Sequence, residues 1–230
     1  MRQIALDTET TGLSPAMGHR VIEIGCIELN NRRITQNHFH HYLQPDREIE
    51  KEAIKVHGIT NAFLQGKPRF TDVVDDFLAF ISGAELIIHN ASFDLGFLNH
   101  ELNLLGGKYA KIKIESICGV IDSLTVARQK HPGQKNSLDA ICKRYNVDLS
   151  VRGLHGALLD STLLAKVYVA MTQSQSRLSL EIDQKTSSSH IEAGHAQAAY
   201  ADMVCIMADE TELARHQDFA KKKLKAEGFL

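Results

Sequence analysis

The sequence predicts an α/β domain in which a mixed β-sheet is flanked by helices, followed by a flexible C-terminal tail. Three observations lead there. Apolar, β-branched segments crowd residues 3 to 43, strand and helix patterns alternate from residue 84 to about 171, and the composition turns polar beyond that point. At 230 residues and 43% hydrophobic, the chain can bury one sizeable core and leave sequence over for an appendage.

Residues 3 to 7, 20 to 30 ("RVIEIGCIELN") and 36 to 43 ("QNHFHHYL") read as strands, with "NNRR" as a turn between the second and third. An antiparallel meander therefore opens the domain. "EKEAIKVHG" has helical spacing with a stop at Gly58, and "RFTDVVDDFLAFISG" puts Phe70, Val73, Val74, Phe77, Leu78 and Ile81 on one helical face. "AELIIHN" (84 to 90) is a short buried strand feeding a helix in "ASFDLGFLNHELNLLG", and "ESICGVIDS" (115 to 123) is read as another strand. Helices follow at 123 to 130, 137 to 145 and 156 to 171. Past Met171, a stretch rich in Ser and Gln cannot bury enough to order itself and reads as a linker. A shorter structured piece is expected at the end, capped near Asp209 and running into Lys221, Lys222, Lys223 and Lys225.

No charged-then-apolar leader and no apolar run near the ~18 residues of a membrane span are visible, so a soluble cytoplasmic protein with no membrane partner is expected. Cys26, Cys118, Cys142 and Cys205 are widely spaced and suit reduced packing residues better than zinc or disulfides. Lys plus Arg is 26 against 28 for Asp plus Glu, a net charge of -2, which argues against a protein that coats nucleic acid through many phosphates. A site for the last few nucleotides of a strand does not need such a coat.

The chemistry concentrates in three short stretches. In "LDTETTG", side chains two apart leave the same face of a strand, with α-carbons ~6.6 Å apart, so Asp7 and Glu9 point together. Carboxylates that close repel unless a cation lies between them. In "HNASFD", Asn90 or Ser92 caps a helix whose first turn carries Asp94. In "HGALLD", His155 and Asp160 would sit ~140° apart on one helix, so His155 belongs to the loop before it, freed by Gly156. Each stretch alone has an ordinary explanation: exposed acids, an acid complementing a helix dipole, a polar loop residue. "HFHH" (His38, His40, His41) alternates on a strand without a supporting acid or cysteine and reads as a solvated face, and Glu23 receives no assignment.

Together, in this order, the three stretches resemble the DEDDh branch of the 3′–5′ exonucleases over residues 1 to about 171. The sister branch carries Y-x-x-x-D at its last motif, whereas Tyr145 and Asp148 are three apart and His155 with Asp160 fits. "AIKVHGIT", "AELIIHNASFDLGFLN" and "DSLTVAR" narrow the resemblance to the epsilon (proofreading) subunits of bacterial replicative polymerases. That resemblance implies a ribonuclease H-like fold and a division into an exonuclease domain (1–172), a flexible linker (173–199) and a polymerase-docking segment (200–230). It implies removal of mispaired 3′-terminal nucleotides from DNA as 5′-mononucleotides. Asp7, Glu9, Asp94 and Asp160 would hold two divalent cations, Mg²⁺ or Mn²⁺, roughly 4 Å apart, with His155 as base. Thr10, Thr11, Gly12, His57, Asn90 and Phe93 fall in motifs that meet the terminal nucleotide. Implied partners are a frayed 3′ end, the polymerase (alpha) subunit, a small theta-like subunit, and the sliding clamp (beta) through "QSRLSL", anchored by Gln175, Leu178 and Leu180. The competing readings are a stand-alone DEDDh nuclease trimming RNA or short oligonucleotides, and a non-catalytic adaptor between clamp and polymerase.

Overall fold

A computed structural model of the chain describes residues 1–150, 153–173 and 209–219. β1 (Arg2–Thr10), β2 (Val21–Asn30) and β3 (Arg33–Tyr42) form the expected antiparallel meander. Asn31 and Arg32 both take positive φ, 48° and 66°, which suits the right-handed twist of a two-residue hairpin. α1 (Lys51–His57), α2 (Asn61–Leu64) and α3 (Phe70–Ile81) follow, then β4 (Glu85–Ile88) and α4 (Ala91–Leu105). α5 (Ile114–Ile117) leads into β5 (Gly119–Asp122), and α6 (Ser123–Lys130), α7 (Leu138–Arg144) and α8 (Ala157–Thr172) complete the domain. The sheet order is β3-β2-β1-β4-β5, with β1, β4 and β5 mutually parallel.

Two expectations need correction. The stretch 115–123 is not one strand: Ile114–Ile117 forms a helical turn that closes on Cys118, and only Gly119–Asp122 pairs with β4. β4 is four residues long, so a longer neighbour would find no ladder to pair with. β1, conversely, does not end at Asp7. It continues to Thr10 because β2 goes on pairing with it as far as Val21.

Side chains of β1 alternate between two cores. Ile4 and Leu6 face a cluster built with Phe77 of α3 and Phe97 and Leu98 of α4, while Ala5 faces Leu163, Leu164 and Val167 of α8. The central strand is thus clamped on both faces. On α3, Phe70, Val73, Val74, Phe77 and Ile81 are buried as the spacing predicts, and Leu78 is half-buried at the edge of that face. Cys26, Cys118 and Cys142 are buried free thiols, and Cys205 lies outside the described residues.

The chain divides into two units, Met1–Arg177 and Leu178–Leu230. In the second, α9 (Glu210–Phe219) starts where Asp209 Oδ1 accepts bonds of 2.8 Å from the amides of Thr211 and Glu212, the cap expected there. Lys221, Lys222, Lys223 and Lys225 lie outside the described residues, as do Gln175, Leu178, Leu180 and the linker from 174 onward. Among the described residues, no helix is long and apolar enough to cross a membrane.

α8 reaches the sheet at one bare spot. A β-carbon on Gly25 would collide with the backbone of Ala157 and Leu158, and Ser161 Oγ donates to the Gly25 carbonyl at 2.7 Å. Gly25→Ala should therefore push the helix off the sheet and cost ~1–3 kcal/mol of stability by overpacking. A denaturant-unfolding midpoint equal to that of the parent chain would refute so close a contact.

Candidate active site

The site begins with a difference in strand length. β4 stops pairing with β1 at Leu6–Ile88, whereas β1 runs four residues further beside β2 alone. Asp7 to Thr10 therefore overhang the C-terminal end of β4, where open α/β sheets gather functional groups. Asp7 and Glu9 share the face that α8 covers and are partly open to solvent, and Thr8 between them is buried on the other face.

The edge that β4 vacates is taken by Asp94. Its carboxylate is 3% exposed, and Oδ1 accepts from the Thr8 amide at 3.0 Å and from Thr8 Oγ1 at 2.7 Å. α4 is launched toward that position by Asn90, which sits at the cap position as expected but makes no side-chain cap bond. Asn90 instead adopts a left-handed conformation with φ of 68°, and its amide donates to Asp122 Oδ1 at 3.1 Å. Asp122 also accepts from the Leu124 amide at 2.9 Å, so one carboxylate joins the turns after β4 and β5.

Asp160 arrives from the opposite side. It is 3% exposed in the first turn of α8, and because Gly25 is the register partner of Asp7, the close approach at Gly25 delivers Asp160 beside Asp7. His155 lies in the loop before α8, as expected. Its amide donates to the Val56 carbonyl at 3.2 Å, its ring is exposed, and Nδ1 lies 3.1 Å from Asp160 Oδ2. Glu9, His155 and Asp160 place ligand atoms within 4.8 Å of one another, the one such group among the described residues. Asp7, His155 and Asp160 line a cleft of about 680 Å³ whose far wall includes Arg128 and Asn136.

Electrostatics match that crowding. Burial holds the Asp7 carboxyl well above the usual carboxylate range, and Asp94, Glu9, Asp160 and Glu23 add to the effect in that order. Burial pushes Asp94 up to about 7 against the opposing bonds from Thr8. Glu23 is the functional-site neighbour that sequence reasoning left unassigned: it is 1% exposed, is the register partner of Glu9, and accepts from His40 Nε2 at 2.8 Å. A lone acid in an apolar strand was the available signal. It also corrects the solvated-face reading of "HFHH": His38 is exposed, but His40 is half-buried against Glu23 and His41 half-buried with its ring 4.7 Å from that of Phe39.

A second cleft of about 340 Å³ adjoins the acids, lined by Glu9, Gly12, Leu13, Val56, His57 and Phe93 among others. His57 is buried, and Nδ1 accepts from the Ile59 amide at 3.0 Å. Burial lowers its pKa, so the ring is neutral near pH 7. Phe93 packs on Phe97 with ring centroids 5.0 Å apart and presents its outer side to the cleft. Thr10 lines this cleft as expected, with its Oγ1 donating to the Gly12 carbonyl at 2.6 Å, whereas Thr11 is fully buried with its hydroxyl on His19 and Arg20 and does not reach it. Both hydroxyls hold the loop. Asn90 keeps an exposed side chain outside this cleft.

A mixed five-stranded sheet with acids and an imidazole meeting where β4 ends defines a class, the ribonuclease H-like exonucleases of DEDDh type. The family model described as Exonuclease matches residues 4–168. The DNA polymerase III subunit epsilon of Salmonella typhimurium is 48% identical across 96% of this chain and 94% of its own, and that of Rickettsia felis is 45% identical across 98% of each. Among solved structures, Exonuclease X in complex with 5′ overhanging duplex DNA matches at 29% identity and a TM-score of 0.56, covering 74% of this chain and 89% of that one. The nuclease domain of 3′hExo, a DEDDh family member bound to rAMP, shares the fold at 21% identity and a TM-score of 0.63, over 75% of this chain and 92% of that one. The chain belongs to the exonuclease family and, within it, to the family of DNA polymerase III epsilon subunits. It is a metal-dependent 3′–5′ exonuclease.

An acid whose pKa is higher folded than unfolded binds more protons when folded, so it favours folding at low pH and loses that advantage as pH climbs through the folded value. For Asp94 the window runs from the ordinary 3.8 to about 7, and the raised Asp7 acts in the same direction. The lowered His57 and His89 act in the opposite sense, but only below their ordinary 6.5. Metal-free protein should therefore melt lower at about pH 8 than at about pH 6.5, and divalent cations should raise the melting temperature more at the higher pH. A metal-free melting temperature that stays level or rises over that interval would show the carboxyls to be apart.

Proposed function

We propose that this chain is the proofreading exonuclease of a bacterial replicative DNA polymerase, removing mispaired 3′-terminal nucleotides from DNA as 5′-mononucleotides. The observation that carries the reading is the meeting of Glu9, Asp160 and His155 within 4.8 Å, beside Asp7, in an open cleft. Asp7, Glu9, Asp94 and Asp160 would hold two divalent cations, Mg²⁺ or Mn²⁺. The donors fit: they are hard oxygens, and the cost of ionising Asp7 and Asp94 in a buried, crowded site is relieved when a cation lies between them. When bound, the ions supply positive charge for the phosphate and the departing 3′ oxygen and acidify water.

The protein's own groups do the rest. With Nδ1 directed at Asp160 Oδ2, His155 keeps Nε2 as the nitrogen that takes a proton from the attacking water, and its loop position lets the ring swing to meet it. The cleft of Gly12, Leu13, His57 and Phe93 takes the terminal nucleotide, with Phe93 offering a ring face and neutral His57 adding no charge. No base-reading contact is required. A mispaired end separates from its template at lower cost and so reaches the site more often, which makes fidelity a matter of partitioning.

Likeness to proteins named as subunits of DNA polymerase III extends beyond the exonuclease region to 96% of the chain, which supports assembly through the tail. On this reading residues 1–172 form the exonuclease domain, 173–199 a linker that engages the sliding clamp (beta) through Gln175, Leu178 and Leu180, and 200–230 the contact with the polymerase (alpha) subunit. A small theta-like subunit would bind the exonuclease domain.

Two outcomes test the proposal. Asp7→Asn should reduce turnover at least about 10²-fold, as loss of a key electrostatic group does, yet raise the metal-free melting temperature because a buried repulsion is removed. Retained activity would dismiss Asp7 as a ligand. On primed DNA, initial release of 5′-mononucleotides should be faster from a mispaired than from a paired 3′ end, and equal rates would contradict partitioning by fraying.

A further inference from the structure

Behind Gly12, which lines the nucleotide cleft, lies a buried histidine that no chemical step uses. His19 is 2% exposed, and its ring lies against Gly12, so that a β-carbon at Gly12 would overlap the imidazole. His19 Nδ1 is 3.0 Å from Thr11 Oγ1, and the same oxygen accepts from the Arg20 amide at 3.0 Å. Because Thr11 is fully buried, its hydroxyl proton has a partner only if it is given to Nδ1; Nε2 then carries the ring proton and donates it to Glu50 Oε1 at 3.1 Å. Glu50 is the residue before α1, and its amide donates to the Thr11 carbonyl at 3.0 Å.

These bonds connect the two walls of the cleft. One wall is the 12–18 loop, which presents Gly12 and the 83% exposed Leu13; the other is α1 with its preceding residue, presenting Glu50, Val56 and His57. The loop is closed at its base by the Thr11–Arg20 pair and tied near its far end by Arg47 Nη1 on the Met17 carbonyl at 3.0 Å. Between these points, the His19 ring lies directly beneath Gly12. We propose that His19 is a positioning residue that straps the loop to α1 and so sets the grip of the cleft on the terminal nucleotide. The absence of a side chain at Gly12 is then explained by the ring below it.

The inference rests on the exonuclease reading of the cleft, so the test has one arm that needs no turnover. Full-length parent, His19→Ala, Gly12→Ala and the double variant are compared by steady-state release from single-stranded oligodeoxynucleotide and by calorimetric titration with thymidine 5′-monophosphate in Mg²⁺. Each single change should raise KM and weaken mononucleotide binding about tenfold, the scale of one buried hydrogen bond, and for His19→Ala kcat should stay within about twofold of the parent. The double variant should bind as His19→Ala does, because a methyl at Gly12 collides with nothing once the ring is gone. Losses that multiply in the double variant, or single variants that bind like the parent, would overturn the strap. If His19→Ala fails to melt cooperatively, His19→Gln replaces it in both arms, keeping a donor for Glu50 without the ring. A parent chain that binds the mononucleotide but releases none from DNA would defeat the exonuclease reading while the binding arm still decides the strap. No binding by the parent would defeat both.

Discussion

Mutual repulsion among buried carboxylates is the constraint around which this domain is arranged. Burial is the largest cost of ionising Asp7, and the neighbouring Asp94, Glu9, Asp160 and Glu23 add to it. Nothing in the acids themselves holds them together. They stay because each is fixed to an element secured elsewhere: β1 lies between two cores, α4 is bound through Phe97 and Leu98, and α8 through Leu163, Leu164 and Val167. The apolar clusters offset the strain that function requires.

Precision then comes from contacts that leave no play. Gly25 admits the backbone of α8 onto the sheet beside Asp7, and the hydroxyl of Ser161 fixes the helix against sliding. Thr8 meets Asp94 with both amide and hydroxyl, which is feasible because β4 has ended and the amide has no strand partner. Asp122 ties together the two turns beyond β4 and β5. His155 is the exception. Its ring is exposed on the loop before α8, with Nδ1 on Asp160, a placement open to the attacking water.

Much of this was legible in the residues. The two-residue period placed Asp7 and Glu9 on one face, and the angle between positions 155 and 160 put His155 off the helix, because both arguments use only local geometry. The helix over Phe70–Ile81 followed from its apolar spacing for the same reason. What escaped depends on partners distant in sequence. No local pattern says that Thr8 will bind a residue 86 positions away, that Ser161 will reach Gly25 across 136, or that Thr11 will be buried against His19. The strand expected over 115–123 failed likewise: Ile114 and Ile117 suit either state, and the length of β4 decided between them.

The same acids govern when the site can meet DNA. With a net charge of only -2 over the chain, composition gives no general basic coat to draw in a strand, and the local cluster of Asp7, Glu9, Glu23, Asp94 and Asp160 repels phosphate at close range, with Arg128 on the cleft as an opposing charge. Cations offset the local negative field, so metal and nucleic acid bind with positive coupling, each raising the affinity for the other. An exonuclease built this way works at a replicating terminus when another protein keeps the terminus near, since tethering raises the local concentration of ends without adding any contact at the site. The acidity that makes the hydrolytic centre thus also makes attachment to a DNA-holding partner advantageous.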